Sequence, residues 1–216
     1  MVFQLKMKLL NFYKNRFKKY GVDPKSLVWK TRGAAHQRFR QFWSEIDFTK
    51  KSILDVGCGF GEFGNFLAKR YKDVRYKGVD IVPEFIVNGK KMYPHLTLIT
   101  ADYFNQPLPE TFDVIICSGA LNSNFGSKNK NMNFRRSAIK TMFKHTTNVF
   151  AFNMSGSFPQ QKNKNINIWY ADSLEILKYC LSLTNRVIMR HNYHSKDFTV
   201  FMYKQSLPLI GTVSDK

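Results

Sequence analysis

The 216-residue chain carries 34 Lys and Arg against 15 Asp and Glu, which gives a formal net charge of +19 at pH 7. This length suits one domain with a large core and a short extension. No apolar run approaches the roughly 20 residues of a transmembrane helix, and Lys6 and Lys8 interrupt any apolar core of a secretory signal. The 3 cysteines lack the spacing of metal ligands, so we expect a protein of the reducing cytoplasm without a metal site.

The positive charge is concentrated in two parts of the chain. Residues 1–40 contain a single acid, Asp23, and residues 114–171 contain none, whereas over half of the acids lie between Asp55 and Asp113. Basic zones on both sides of an acidic centre could bind a polyanion such as RNA. The excess of Lys over Arg and the abundance of Asn fit codon bias in an A·T-rich genome equally well, so both interpretations stay open.

In chain order, the first predicted element is a basic amphipathic helix that ends at Gly21, before the break at Asp23-Pro24. Such a helix can lie on a membrane, take up RNA or, most commonly, pack on its own domain. A loop with Trp29 and a second helix around residues 39–46 follow, and we assign residues 1–48 to an N-terminal helical extension or lid. The apolar residues of the first helix recur every three or four positions: Phe3, Met7, Leu10, Tyr13, Phe17 and Tyr20.

The next element is the most informative one. An apolar strand ends in Asp55, and Gly57, Gly59 and Gly61 follow before a helix that begins near Glu62. Because glycine has no Cβ, a glycine-rich turn between a strand and a helix lets a ligand approach the backbone closely. The free N–H groups of the helix N-terminus add donors. This pattern predicts a nucleotide or nucleoside site.

Two alignments of this turn compete. Residues 59–64 fit the G-x-G-x-x-G dinucleotide fingerprint, with Asp80 about twenty residues further on. In the other alignment the glycines are Gly57, Gly59 and Gly61, and Asp55 precedes them on the strand. A carboxylate there would repel a pyrophosphate, but it would attract a ligand that carries an ammonium and a sulfonium.

With an acid ahead of the first glycine, the turn resembles the first motif of the class I S-adenosylmethionine (SAM)-dependent methyltransferases. Residues 76–81, 96–103 and 112–119 resemble the next three strands of that family. The resemblance implies that Asp80 holds the ribose hydroxyls and that Asp102 accepts from the adenine amino group, with Ile81 and Tyr103 near the ring. The implied SAM-binding set is Asp55, Gly57, Cys58, Gly59, Gly61, Asp80, Ile81, Ala101, Asp102, Tyr103 and Ser118.

The same resemblance implies an α/β fold. It is a doubly wound, Rossmann-like sheet of seven mostly parallel strands, closed by an antiparallel hairpin from residues 186–190 and 198–203. Helices are predicted at residues 62–70, 83–92, 134–144 and 173–183, with Ser173 or Asp172 as the N-cap of the last. A fifth strand at residues 149–152 precedes a polar loop at residues 156–167. The SAM-binding domain then covers residues 49–205, with a tail at residues 206–216.

Candidate substrate and catalytic residues follow the strand ends, where doubly wound sheets bind ligands. Trp29, Asn122 and Tyr193 are candidate substrate contacts, although Asn122 could equally cap its loop. His191 or His194 could act as a general base, oriented by Asp197, but Asn192 and Ser195 also mark an ordinary turn with solvated histidines. The Pro-Pro-aromatic motif of nucleobase amino-methylases is absent after residue 122, which disfavours that chemistry.

The chain as a whole also resembles a small group of bacterial methyltransferase-domain proteins of unassigned substrate. We therefore expect a methyltransferase that uses SAM, releases S-adenosylhomocysteine and acts on a small molecule. An RNA methyltransferase that uses the basic flanks and a SAM-binding protein without catalysis are the alternatives. The acceptor atom and the oligomeric state do not follow from the sequence.

Overall fold

The computed structural model describes residues 3–160 and 167–205, in which eight strands form one sheet. The predicted tail at residues 206–216 and part of the predicted polar loop, residues 161–166, lie outside the described residues. The helices are α1 (Phe3–Tyr20), α2 (Arg32–Trp43), α3 (Glu62–Ala68), α4 (Pro83–Met92), α5 (Lys128–Lys144) and α6 (Ser173–Leu181). The strands are β1 (Ser52–Val56), β2 (Arg75–Asp80), β3 (Thr97–Thr100), β4 (Phe112–Ser118), β5 (Thr146–Ser157), β6 (Ala171–Asp172), β7 (Val187–Arg190) and β8 (Asp197–Tyr203).

Seven strands lie in the order β3-β2-β1-β4-β5-β8-β7, and β6 pairs with β5 off this path. Strands β1 to β5 are parallel, whereas β8 runs antiparallel to both β5 and β7. This arrangement confirms the predicted doubly wound sheet with a closing antiparallel hairpin. The strand order reverses between β1 and β4, so the carboxyl ends of these two strands flank the crevice where such sheets bind ligands.

The eighth strand was not predicted. β5 continues past residue 152 through Asn153 to Ser157, and its last two residues pair with Ala171 and Asp172 of β6. The polar and small residues of this extension have low strand propensity, but it lies between neighbouring strands whose hydrogen bonds override that preference. Asp172 caps α6, since its carboxylate accepts from the backbone N–H groups of Leu174 and Glu175.

The central strands are buried on both faces, as parallel sheets are. Ile53 and Leu54, adjacent in β1, belong to separate apolar clusters on opposite sides of the sheet. One cluster joins the sheet to α5 and α6, and the other joins it to α2 and α3. The core therefore holds the strand ends rigidly while leaving their carboxyl edge open to ligand.

Helix α1 packs on its own domain, over the turn that follows β1. Its residues Leu10, Tyr13 and Phe17 contact a small cluster that contains Phe60 and Phe85. The helix ends where expected, since the next residue, glycine, has a φ of +60°. In the described part of the chain, no helix combines the length and the apolar character needed to cross a membrane.

Candidate functional site

A cavity of about 620 Å³ opens at the carboxyl ends of β1, β2 and β4. Its roof is formed by α1 and by residues 22–30, which lie between α1 and α2, so the predicted N-terminal extension covers the crevice. Thirteen of the predicted site residues line the cavity. They are Trp29, Asp55, Gly57, Cys58, Gly59, Asp80, Ile81, Ala101, Asp102, Tyr103, Ser118, Asn122 and His194. Gly61, His191 and Tyr193 are not part of its lining.

The glycine turn has the geometry that its sequence predicts. Gly57, Gly59 and Gly61 have φ values of +77°, +57° and +87°, which side-chain-bearing residues rarely adopt. The N–H of Gly57 donates to the carbonyl of Val79 over 2.8 Å, which ties the turn to β2. A Cβ on Gly57 would collide with the Cβ of Ala120, which follows β4. The turn is thus packed so closely that glycine is required at its first position.

Asp55, which lines the cavity, is a buried carboxylate with one oxygen unpaired. Its side chain is 1% exposed, and Oδ2 accepts from the Tyr76 hydroxyl over 2.7 Å, whereas Oδ1 has no hydrogen-bond partner. Burial raises the pKa of Asp55 to about 7, and the nearby charge of Asp80 adds to the rise. A buried, unpaired carboxylate oxygen needs a donor. A ligand ammonium would supply one, and a pyrophosphate would not.

Asp80, at the end of β2, is fixed by backbone donors. Its Oδ2 accepts from the N–H of Gly59 over 2.9 Å, and its Oδ1 accepts from the N–H of Val82 over 3.0 Å. Burial raises the pKa of Asp80 to about 6, although these hydrogen bonds act in the opposite direction. Because each carboxylate oxygen can accept more than one hydrogen bond, both oxygens keep capacity for ligand hydroxyls. This geometry fits the ribose-binding role that the resemblance implies.

Asp102, the third predicted acid, already has two partners. Lys6 of α1 forms an ion pair with its Oδ2 over 2.7 Å, and Asn105 donates to the same oxygen over 2.6 Å. Neighbouring Tyr103 is 3% exposed, and its hydroxyl has no hydrogen-bond partner. The sequence did not identify Lys6 as part of the site, because a lysine on the polar face of a helix has the pattern of a solvated residue. The ion pair fastens α1 over this end of the cavity.

Tyr13 is a site residue that sequence reasoning missed. Tyr13 lines the cavity, where its hydroxyl lies near Ser123, beyond β4, and close enough to Asp80 to feel its charge. Burial, with the charge of Asp80 as a second cause, raises the pKa of Tyr13 to about 12. On an amphipathic helix a tyrosine is expected to serve packing, so only the tertiary structure shows that its hydroxyl reaches into the cavity.

We expect Tyr13→Phe to weaken SAM binding about 5-fold, because it removes a polar group from the cavity lining while keeping the ring that packs on Phe85. Calorimetric titration with SAM measures this change. Tyr20→Phe, which removes a hydroxyl from the same helix outside the cavity lining, is the matched control and should leave the affinity within about 2-fold. Equal losses in the two variants would mean that the position of the Tyr13 hydroxyl in the cavity does not matter.

Trp29 forms a wall on the side of the cavity near β4. Its ring lies against Gly119, where an added Cβ would be 3.0 Å from the indole, and the Arg38 guanidinium stacks over it at 4.5 Å. Val28, directly before it, has a φ of +65°, which is unusual for a β-branched residue. The turn is held by hydrogen bonds from the N–H groups of Val28 and Trp29 to the carbonyls of Lys25 and Pro24. The indole is therefore fixed in position.

Asn122 both caps its loop and lines the cavity. Its Oδ1 accepts from the N–H of Ser155 over 2.8 Å, and its carbonyl accepts from the N–H of Trp169. Ser118 ends β4, and its Oγ accepts from Asn153 over 3.3 Å. These bonds join the ends of β4 and β5 into one rigid edge beside Trp29.

The loop after β7 reaches the cavity through His194. His191 instead stacks on Phe198, with ring centroids 6.0 Å apart, and its buried Nε2 has no partner. The Tyr193 hydroxyl hydrogen-bonds with Thr199 over 2.9 Å. Asp197 forms an ion pair with Arg38 of α2 and so does not orient a histidine. The predicted roles of His191 and Tyr193 therefore gain no support from their positions.

His194 has a hydrogen-bonding arrangement that bears on its chemistry. Its Nδ1 accepts from the N–H of Lys196 over 3.1 Å, so in the neutral ring Nε2 carries the proton. Burial lowers the pKa of His194, and the charges of Arg38, Lys196 and Lys30 lower it further. The neutral side chain thus carries its proton on Nε2 and has its other nitrogen engaged, and its role as a general base stays a prediction.

The cysteines near the site are held as thiols. Cys58 and Cys117 are both buried, and burial raises the pKa of each thiol above its ordinary value. A thiolate is the nucleophilic form, so neither side chain is suited to attack a substrate. In the described part of the chain, no group of three or more His, Cys, Asp or Glu side chains could hold a metal ion.

Comparison with known proteins identifies a methyltransferase domain in this chain. Residues 53–151 match the family described as a methyltransferase domain. Rv1506c of Mycobacterium tuberculosis, a candidate methyltransferase, is 24% identical over 158 residues, or 72% of this chain and 94% of that protein. The candidate methyltransferase 235L of Invertebrate iridescent virus 6 is 26% identical over 68 residues, or 32% of this chain. The match to 235L spans 26% of that protein, so it concerns one segment only.

A solved methyltransferase structure has the same fold over nearly the whole chain. The crystal structure of magnesium protoporphyrin IX methyltransferase from Synechocystis PCC 6803, with bound S-adenosylhomocysteine, superposes with a TM-score of 0.66 at 13% identity. The match covers 93% of this chain and 100% of that one. At this identity it shows the fold alone. Residues 53–151 therefore form a methyltransferase domain, and the chain has the fold of the class I SAM-dependent methyltransferases.

Proposed function

We propose that this protein transfers the methyl group of SAM to a small-molecule acceptor bound beside Trp29. The observation that carries the proposal is the unpaired Oδ1 of buried Asp55, a residue that lines the cavity. It matches a ligand ammonium, and the remaining hydrogen-bonding capacity of Asp80 supports a role in binding ribose hydroxyls. The roof formed by α1 and by residues 22–30 leaves a cavity of about 620 Å³, which favours a compact acceptor over a polymer.

The protein residues have few chemical tasks in this reaction. SAM supplies a methyl group on a sulfonium, which is already activated for in-line displacement. The chain therefore has to align the acceptor and exclude water. The rigid edge of Ser118 and Asn122 and the fixed Trp29 ring serve the first task. Helix α1, fastened through Lys6 and Asp102, serves the second.

Calorimetry against SAM and NAD, followed by a small-molecule screen with labelled SAM, tests the proposal. We expect SAM to bind, NAD to bind far more weakly, and S-adenosylhomocysteine to appear with at least one acceptor. Preferential binding of NAD would contradict the assignment of the cavity. SAM binding without transfer to any small molecule would leave the SAM-binding site intact but remove the proposed acceptor class.

The two histidines give a further prediction. Loss of a general base usually lowers kcat by about 10²- to 10⁴-fold. We expect His191→Ala and His194→Ala each to leave kcat within about 5-fold, because His191 is off the cavity and Nδ1 of His194 is already engaged. Steady-state kinetics with the acceptor found in the screen measures this. A loss of 100-fold or more in either variant would restore the general-base role.

A further inference from the structure

The end of the cavity near Trp29 is positively charged, whereas the end at β1 and β2 is acidic. We call the first the acceptor end and define it by Trp29, Lys30, Arg38, His194 and Lys196, all of which line the cavity. These residues lie together, because Arg38 stacks on Trp29 and the charges of Arg38, Lys196 and Lys30 all act on His194.

Arg38 holds Trp29 in position but adds little net positive charge to the acceptor end. It forms an ion pair with Asp197, and the two side chains are buried in the fold. Its Nη1 also donates to the carbonyl of Ala34 over 2.7 Å. The guanidinium is therefore compensated by a carboxylate, and its role is to hold the indole of Trp29.

Lys30 and Lys196 have no such compensation. Within residues 3–160 and 167–205, no carboxylate oxygen lies within 4.0 Å of either ammonium. Two hydrogen bonds anchor the loop that carries Lys196: Gly156 N–H donates to the Lys196 carbonyl over 3.0 Å, and Gln37 donates to the Tyr193 carbonyl over 2.7 Å. The Nε2–H of His194, a third residue of this lining, adds a neutral donor.

We propose that the methyl acceptor carries an anionic group, either a carboxylate or a phosphoryl group, which Lys30, Lys196 and the Nε2–H of His194 bind. Trp29 then lies against the part of the acceptor that faces the methyl group. This inference rests on the proposed methyltransferase function of the same cavity. It follows from the charge of the acceptor end, since two ammonium groups without a carboxylate partner among the described residues and a neutral donor line the same part of the cavity.

Acetate and inorganic phosphate are the probes for this site, added separately to the full chain while the ring signals of His194 are followed by NMR. We expect saturable binding that raises the pKa of His194, because a bound anion favours the imidazolium. The tighter of the two probes identifies carboxylate or phosphoryl chemistry. If neither probe shifts the His194 ring signals at concentrations up to tens of millimolar, the proposal is wrong.

The Lys30→Gln/Lys196→Gln double variant tests which residues bind the anion. We expect its affinity for the tighter probe to fall about 5- to 10-fold. The matched control is Lys90→Gln/Lys140→Gln, which makes the same charge change at exposed positions away from the cavity and should bind the probe as the wild type does. Equal losses in both variants would show that only the overall charge matters, and the proposal would fail.

SAM calorimetry on the same variants keeps this inference separate from the proposed function. We expect both double variants to bind SAM as the wild type does, because neither changes Asp55 or Asp80. If the wild type does not bind SAM, the proposed function is wrong, whatever the titrations with acetate and phosphate show. In the acceptor screen, a neutral methyl ester that is methylated as readily as its parent acid would contradict the anionic acceptor but not the methyltransferase function.

Discussion

Asp55→Asn is expected to remove most of the affinity for SAM and, at pH 8, to make the protein more stable. The carboxylate is buried, and its one unpaired oxygen is the charge that a ligand ammonium would meet. Losing a buried charge-assisted contact of this kind should weaken SAM binding about 100-fold. The Tyr76 hydroxyl can still donate to the amide oxygen, so the variant keeps the hydrogen bond within the fold.

The stability gain has a defined pH dependence. Burial raises the pKa of Asp55 in the folded protein to about 7, whereas an unfolded aspartate titrates near its ordinary value of about 3.9. Between these two pKa values Asp55 is protonated in the folded protein and ionised in the unfolded chain. The free energy of unfolding therefore falls as the pH rises toward 7. At pH 8, above both values, the folded protein bears the full cost of the buried charge. Asp55→Asn removes that cost. Because the two pKa values differ by about three, we expect a gain of about 4 kcal/mol at pH 8 that vanishes near pH 4.

Thermal unfolding at pH 8 and pH 4, together with SAM calorimetry at pH 8, measures both effects. Asp113→Asn is the control, because hydrogen bonds from Ser52 hold the pKa of Asp113 below its ordinary value and this side chain lies outside the cavity. We expect the control to destabilise the fold at pH 8 and to leave SAM affinity unchanged. An Asp55→Asn protein that binds SAM like the wild type would disprove the role of this carboxylate.

The cost of burying the Asp55 carboxylate explains why this position in the sequence predicted a ligand site. A carboxylate at the end of a buried strand opposes folding, so its presence indicates a ligand more strongly than a surface acid would. Gly57 and Gly59 are equally informative, because their positive φ values restrict these positions to glycine. Such signals are local in the chain, and the strands that carry them could be predicted in order.

The roof and the acceptor end could not be predicted in the same way. Tyr13 and Lys6 lie on a helix whose periodicity shows which face is apolar but not which part of the protein that face will meet. Asp197 lies near His191 and His194 in sequence, yet it pairs with Arg38 from a distant helix. Contacts between distant segments decide these roles, and a single sequence does not encode them in any short motif.

One basic residue of the zone at residues 114–171 lies in the interior of the fold and not on its surface. Arg135, which lies in this zone, is 0% exposed and stacks on Trp169 at 4.5 Å. Its guanidinium donates to the carbonyls of Ser123 and Asn131. Burial without a carboxylate partner lowers its pKa to about 9. This arginine therefore braces the loop after β4 and does not belong to a surface for RNA.

Gly57→Ala should be the most damaging single substitution in the cavity. An alanine there must adopt a φ of +77°, and its Cβ would collide with the Cβ of Ala120. The φ alone costs about 1–2 kcal/mol, and a backbone shift to relieve the collision adds about 1–3 kcal/mol. We expect a loss of about 3 kcal/mol in the free energy of unfolding and no measurable SAM binding, since the turn that presents Asp55 would move.

Two companion variants separate these causes. Gly21→Ala imposes a positive φ of +60° with no atom within 4 Å of the new Cβ, so it should cost only about 1 kcal/mol and leave SAM affinity intact. Gly57→Ala/Ala120→Gly removes the collision but keeps the φ, so it should recover about half of the lost stability and part of the SAM affinity. Chemical denaturation and SAM calorimetry on all three proteins measure both terms. If the double variant is no better than Gly57→Ala, backbone conformation and not contact with Ala120 is what requires glycine in the turn.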